Sequence, residues 1–404
     1  MDVITRRRFL TASGVAAGGL LAAGGTAYAL RDILDTAGDR DPAARTLVLV
    51  TLYGGNDGLN TVIPYADPAY AAARPALAYD AGQVLRLDDA FGLNPAMTGL
   101  HRLFTDGKLA VVRGVGYPKP DRSHFRSMDI WQTGRPDHPE NTGWLGRWLD
   151  AAGGDPRLAV SFEPVLPPLL AGATSAGATV PGGSVRLPKN VTTAQLTALG
   201  AAASGEPAAQ ARAAACFADL TRIQDLVQDV DLDDAADDEA AATATGGATQ
   251  SLEAQLALVA TCVEAGAATR VYSVSLGGFD LHADEKTAQE NQLAKLDRPL
   301  AAFAERMAAH DVVIAVYSEF GRRVHANASD GTDHGTASNV LLLGAGIEGG
   351  LYGEPPSLTD LDQGDLKFTT DFRDVYAMLL ADVLGSDPAR ILNGWPTTSR
   401  LSRR

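Results

Sequence analysis

The sequence predicts an α/β protein with a mostly parallel central sheet and helices on both faces. Two observations predict it. Short apolar, β-branched runs stop abruptly at Gly and polar residues, as buried strands do. Between two of those runs lies Gln289–His310, with Leu293, Leu296, Leu300, Phe303 and Met307 at helical spacing. Strand, helix, strand at that separation is a βαβ unit, which makes the strands parallel and covers them with helices.

The segment before the first strand stands apart from the fold. Thr5-Arg6-Arg7-Arg8-Phe9-Leu10 is followed by an uncharged stretch rich in Ala, Gly and Leu, and then by the small-x-small pattern Ala27-Tyr28-Ala29. Basic region, apolar region and cleavage pattern in that order read as a signal peptide over 1–29, and the paired arginines mark the twin-arginine route. The apolar part is too short and Gly-rich for a stable span, which needs about 20 strongly apolar residues. The mature chain is therefore expected in the periplasm, cell envelope or extracellular space, with no stable transmembrane segment.

The strands follow in order. Thr46–Tyr53 runs into Gly54-Gly55-Asn56-Asp57-Gly58, and Leu109–Val112 into Arg113-Gly114. Val271–Leu276 runs into Gly277-Gly278-Phe279-Asp280, Val312–Tyr317 into Ser318-Glu319-Phe320-Gly321, and Val340–Leu343 is a further apolar run. A closing helix is expected over Phe372–Leu384. Residues 194–268 are Ala-rich with few aromatics and hold the acidic stretch Asp229–Glu239, so they read as an insertion of surface helices and a flexible, solvated loop.

Composition bounds the rest. Of 404 residues, 46% are hydrophobic and 21% charged, enough for a substantial core. The formal charge is −15; without residues 1–29, which hold three Arg and one Asp, it is −17. So acidic a body disfavours phosphate backbones, and nucleic acid is not an expected partner. Two cysteines, Cys216 and Cys262, either pair outside the cytoplasm or remain buried thiols, and neither belongs to a Cys-x-x-Cys motif.

In an open α/β sheet, ligands gather at the carboxyl ends of the strands. Asp57 follows the first strand, Asp280 and His282 another, and Glu319 a third, while Asp333 and His334 stand in Gly331-Thr332-Asp333-His334-Gly335 before the run at Val340. Brought together, these carboxylates would repel unless a cation lay among them. The mixed O/N set suits one or two divalent ions of zinc, manganese, magnesium or iron. Each motif also has a plainer reading: a turn at Gly-Gly-Asn-Asp-Gly, a cap at Asp280, an ion pair from Glu319 to Arg322 or Arg323.

These motifs carry a family resemblance. Gly54-Gly55-Asn56-Asp57-Gly58-Leu59-Asn60, Arg122-Ser123-His124-Phe125, Gly278-Phe279-Asp280-Leu281-His282, Ser318-Glu319-Phe320-Gly321-Arg322, Gly331–Gly335 and Asp371-Phe372-Arg373-Asp374-Val375-Tyr376 occur in that order. Over about residues 44–396 the chain resembles the exported bacterial family called domain of unknown function 1501, which is similar in fold to the alkaline phosphatase and sulfatase superfamily. The resemblance implies an alkaline-phosphatase-like domain that hydrolyses or transfers phosphate or sulfate esters with one or two metal ions. It implies Asp57, Asp280, His282, Glu319 and His334 as metal ligands. It also implies a hydroxyl or modified Cys nucleophile at a helix N-terminus near the metal. Ser123 is the best-placed candidate, with Arg122 or Arg126 to hold ester oxygens and His124 as a third imidazole ligand or a spectator. Ser123 as a simple helix cap is the competing reading.

Other searches narrow the class. Ser386-Asp387-Pro388-Ala389-Arg390 fits the sulfatase pattern as letters but lies far from every metal motif, so sulfate esters are less supported. Gly344-x-Gly346-x-x-Gly349 is followed by Pro355-Pro356 and cannot open a dinucleotide-binding helix. No Gly-x-Ser-x-Gly, His-Glu-x-x-His or Walker loop occurs. The expected function is an exported metal-dependent hydrolase or transferase of phosphate-type esters, on a small-molecule or polymer substrate. The alternative is a non-catalytic extracellular or cell-envelope binding protein that retains the fold.

Overall fold

The computed structural model describes residues 26–27, 30–39, 41, 43–163, 165–180 and 250–396. Of the expected signal, all but Thr26 and Ala27 lies outside the described residues, as do Cys216 and the acidic stretch Asp229–Glu239.

Thirteen strands are described: β1 (Thr26–Ala27), β2 (Thr46–Leu52), β3 (Val62–Ile63), β4 (Leu85–Arg86), β5 (Gly92–Leu93), β6 (Leu109–Gly116), β7 (Ala159–Ser161), β8 (Ala178–Thr179), β9 (Val271–Leu276), β10 (Val312–Ser318), β11 (Ser338–Gly344), β12 (Gly350–Tyr352) and β13 (Thr370–Asp371). Ten form the central sheet in the order β1-β8-β7-β9-β2-β10-β11-β6-β12, with β13 also on β6, while β3, β5 and β4 make a small separate sheet. In the main sheet β11 alone runs against its neighbours β10 and β6; every other pairing is parallel. Strand β2 lies at the centre, with Val50 opposite Val274 on one side and Val316 on the other.

The helices used below are α1 (Leu30–Leu34), α2 (Gly58–Thr61), α3 (Pro68–Ala73), α4 (Thr98–Thr105), α5 (His124–Thr133), α6 (Trp144–Ala151), α7 (Leu252–Glu264), α8 (Glu285–Arg306) and α9 (Phe372–Met378). Alternation along β2 shows why both sheet faces are covered. Val48, Val50 and Leu52 join a core with α1, α4, α7 and α8, whereas Leu47 and Leu49 join a second core with Trp131, Trp144, Trp148 and Phe372. Such strands, buried on both sides, read as continuous apolar runs. The expected α/β architecture, a mostly parallel sheet between two helical layers, is what the chain adopts.

Two helical expectations change. Residues 252–264 fall in the stretch read as surface helices, yet α7 is a core helix that buries Leu252, Leu256, Val259, Cys262 and Val263. The expected single helix Phe372–Leu384 divides into α9 and a π-helical turn over Leu379–Val383. The helix read at Gln289–His310 is α8, displaced toward the N-terminus, and it buries Leu293, Leu296, Leu300 and Phe303 as the spacing requires. Gly344 and Gly346 lead into β12 rather than a helix. No helix among the described residues is long and apolar enough to cross a membrane.

Candidate metal centre

Parallel strands all finish at one rim, and β11, running the other way, starts there. The loops after β6, β9 and β10 and the loop entering β11 therefore meet, carrying His124, Asp280 and His282, Glu319, and His334 respectively. Their side chains make one cluster. His334 Nε2 lies 3.1 Å from Nε2 of both His124 and His282. Asp280 Oδ1 is 3.0 Å from His334 Nε2 and 2.9 Å from His282 Nε2, and Oδ2 is 3.4 Å from His124 Nε2. Among the described residues, His124, Asp280 and His334 form a group whose ligand atoms all lie within 4.8 Å of one another, a spacing at which they could hold a metal ion.

The other ring nitrogens face acceptors. His124 Nδ1 donates to Glu319 Oε1 at 2.7 Å, and His334 Nδ1 to the Arg122 carbonyl at 2.8 Å. His282 Nδ1 faces Asp333 Oδ1 at 3.8 Å. In neutral rings with protons on Nδ1, the Nε2 atoms turn lone pairs toward one another at 3.1 Å, an arrangement that repels unless a proton or a metal cation lies between them. Tetrahedral ligands at Zn–N distances of 2.0–2.1 Å would stand about 3.3 Å apart, and the donor atoms of His124, Asp280 and His334 lie 3.0–3.4 Å apart. Electrostatics point the same way. Burial favours the neutral His124 ring, yet Asp280 and Glu319 together raise its pKa to about 9. Burial opposes ionisation of Asp280, and hydrogen bonds from His124, His334 and Arg322 outweigh it, holding the carboxyl well below the usual carboxylate range.

The scaffold explains the glycine motif. Gly54 (φ 112°) donates its N–H to Glu319 Oε1 at 2.9 Å, and a Cβ on it would lie 2.5 Å from Asp280 N. A Cβ on Gly55 would lie 2.2 Å from the Phe320 ring, which packs 4.9 Å from His124 and 5.0 Å from His334. Arg322, unexposed, binds the carbonyls of Gly54, Gly55, Phe279 and Thr332 and reaches Asp280 Oδ1 at 2.8 Å. It gathers three strand-end loops, and its carboxylate partner is Asp280 rather than Glu319. Buried Glu319 accepts from Gly54, His124 and Ser318, one step behind the cluster.

Asp57 is not brought into this cluster. It caps α2 and pairs with Arg74 at the end of α3, and both side chains are fully buried. Ser123 stands at the N-cap of α5, exposed, with no side-chain cap hydrogen bond. The Arg122 guanidinium binds Asp365, and that of Arg126 binds Asp129.

Motif reading missed Arg74, the gathering role of Arg322 and two buried acids. At Glu285, burial and then the charge of Asp57 raise the carboxyl to about 8, against a hydrogen bond from Thr332. At Glu163, just past β7, burial raises the carboxyl to about 7 despite Tyr53 and Ser275, and Oε1 has no hydrogen-bond partner among the described residues. Arg74 and Glu163 carry the one sequence signal, a charged residue inside an apolar stretch; Glu285 and Arg322 stand among other charged residues.

A cavity of about 510 Å³, lined by Tyr117, Lys119, Arg122, Phe320, Asp365 and Phe368 among others, borders the cluster through Phe320 and likewise holds none of its side chains. A second, of about 420 Å³, lined by residues that include Phe91, Arg113 and Asn339, contains none of the cluster's side chains.

A family model described as a protein of unknown function (DUF1501) matches residues 44–394, and the chain belongs to that family. No curated protein matches the chain. Among solved structures it is similar to the C-terminal periplasmic domain of EcEptC from Escherichia coli in complex with Zn, at 12% identity and a TM-score of 0.38, covering 90% of each chain. A second structure of that domain matches at 12% identity and 0.38, covering 89% of this chain and 88% of that one.

Proposed function

We propose that this member of the family is an exported metal-dependent hydrolase or transferase of phosphate-type esters, its ion held by His124, Asp280, His282 and His334. The observation that carries the reading is that His334 Nε2 lies 3.1 Å from both other imidazole Nε2 atoms, with the Asp280 carboxylate 2.9–3.4 Å from all three rings. Three nitrogens and one oxygen suit zinc, iron or manganese better than magnesium, which prefers oxygen. Bound there, a divalent ion supplies Lewis-acid polarisation of the ester oxygens.

The chain's own residues supply the rest. Glu319 and the Arg122 carbonyl fix the tautomers of His124 and His334, and Arg322 holds Asp280 in place. Ser123, next to His124, presents a hydroxyl free of cap bonding and is the proposed nucleophile, with water as the alternative attacking group. The first N–H groups of α5 favour an anion at the same end. The cavity beside the cluster receives the remainder of the ester. Asp57 is left out of this ligand set because its carboxylate is engaged by Arg74. Residues 1–29, with basic, apolar and small-x-small parts in order, support export.

The test is metal content and turnover measured together. Purified mature protein is analysed by mass spectrometry for metals and screened on phosphate mono- and diesters beside Asp280→Ala, His334→Ala and Ser123→Ala. The reading expects bound metal in the wild type, its loss in the first two variants, and retained metal with lost turnover in the third. Metal-free wild type, or turnover indifferent to Asp280→Ala, overturns it. Metal with no turnover on any ester favours a binding protein that keeps the fold.

A further inference from the structure

The cavity wall carries five charged residues, and the side chains of three are paired. Arg122 binds Asp365, which also faces Arg323, and Lys367 pairs with Asp360. Asp362 opens a two-residue turn, its N–H donating to the Asp365 carbonyl at 3.0 Å and the reverse bond at 2.9 Å, with Gln363 and Gly364 at φ 53° and 90°. Lys119 remains. It is exposed, and it has neither ion pair nor hydrogen bond among the described residues.

The backbone at Lys119 makes this notable. Its φ of 55° is left-handed, where a Cβ is disfavoured, and Gly or Asn would fit more easily. It also lies between Pro118 and Pro120, and a residue before proline is pushed toward extended conformations. The chain thus holds a lysine in an unfavourable conformation at the cavity wall, where its ammonium has no partner among the described residues. Strain of that kind collects at ligand clamps. A rigid loop also loses little freedom when it binds.

We propose that Lys119 determines specificity by binding an anionic group on the part of the ester that lies beyond the metal. The proposal rests on the phosphate-ester reading. A cavity of about 510 Å³ has room for more than a phosphate, and Phe320, which packs on His124 and His334, lines it together with Lys119, so a ligand reaching past that ring from the cluster would meet Lys119.

Calorimetric titration of the metal-loaded full chain tests it with two probes, glycerol 3-phosphate and 3-phosphoglycerate, which differ by a carboxylate at the end away from the phosphate. Wild type is expected to bind the acidic probe about tenfold more tightly, as a charge-assisted hydrogen bond would give. Lys119→Ala should abolish that preference while leaving glycerol 3-phosphate binding unchanged, and Lys119→Arg should keep it. Equal affinity in the wild type, or equal loss for both probes in Lys119→Ala, overturns the proposal. Metal-loaded wild type that binds neither probe overturns the phosphate reading itself, and the assignment of Lys119 with it.

Discussion

Replacing Glu163 by Gln tests whether this carboxyl is buried as an acid. Glu163 is 4% exposed, its Oε1 has no hydrogen-bond partner among the described residues, and its neighbours are Tyr53 and Ser275 rather than a cation. Burial raises it from the ordinary 4.5 to about 7 in the folded chain. Between those values the unfolded chain has lost the proton and the folded chain still holds it. Protons bound are then greater in the native state, so stability falls as pH rises through that window and levels off above about 7. At 1.36 kcal/mol per pH unit the loss is about 3 kcal/mol. Gln has the same shape and cannot ionise. The wild type, measured against Glu163→Gln by denaturant unfolding from pH 4 to pH 8, should therefore lose about 3 kcal/mol of relative stability across that range. Other titrating groups are common to both proteins and cancel in the difference. A difference that stays flat with pH would refute the reasoning, because it would mean that Glu163 is solvated or paired in the native state.

Three further outcomes are expected. Arg74→Met leaves the Asp57 carboxylate buried without its guanidinium, which should cost about 3–5 kcal/mol by chemical denaturation. Metal content should stay at the wild-type level, and loss of metal would place Asp57 in the centre after all. Lys119→Gly should be more stable than Lys119→Ala by about 1–2 kcal/mol, since only Gly relieves the left-handed backbone; equal stabilities would remove the strain from the argument. Because His124 in the metal-free chain holds its proton up to about pH 9, an ion entering at pH 8 must displace it. Binding should then release protons and weaken as pH falls, and calorimetry in buffers of different ionisation enthalpy that finds no release would contradict this.

Much of the fold is legible because burial on both faces leaves a plain mark: unbroken apolar runs at Thr46, Leu109, Val271 and Val312 that end where loops begin. The rule that ligands gather at strand ends then brings Asp280, His282, Glu319 and His334 near one another without coordinates. Asp57 looks the same by that rule. What separates it is Arg74, held beneath it by the Pro68–Ala73 helix, and a single buried cation from another turn carries no periodic signal. Helix α7 was hidden for a different reason. Its apolar positions Leu252, Leu256, Val259 and Val263 follow helical spacing, but they sit at the end of a long Ala-rich stretch whose average composition reads as surface. Arg322 was visible only as a neighbour of Glu319, because a guanidinium that collects carbonyls is specified by loop shape rather than by sequence partners.

The cluster also joins remote parts of the chain. His124 and His334 are 210 positions apart, and His282 and His334 are 52 apart. No contiguous fragment shorter than that span contains all of the imidazoles. His334, the last of them along the chain, meets the others where β10 pairs with β2 and β11 turns back beside β10. Occupancy of such a centre would act as a receipt for completed folding, issued only after the sheet has closed, and a half-made chain could not counterfeit it.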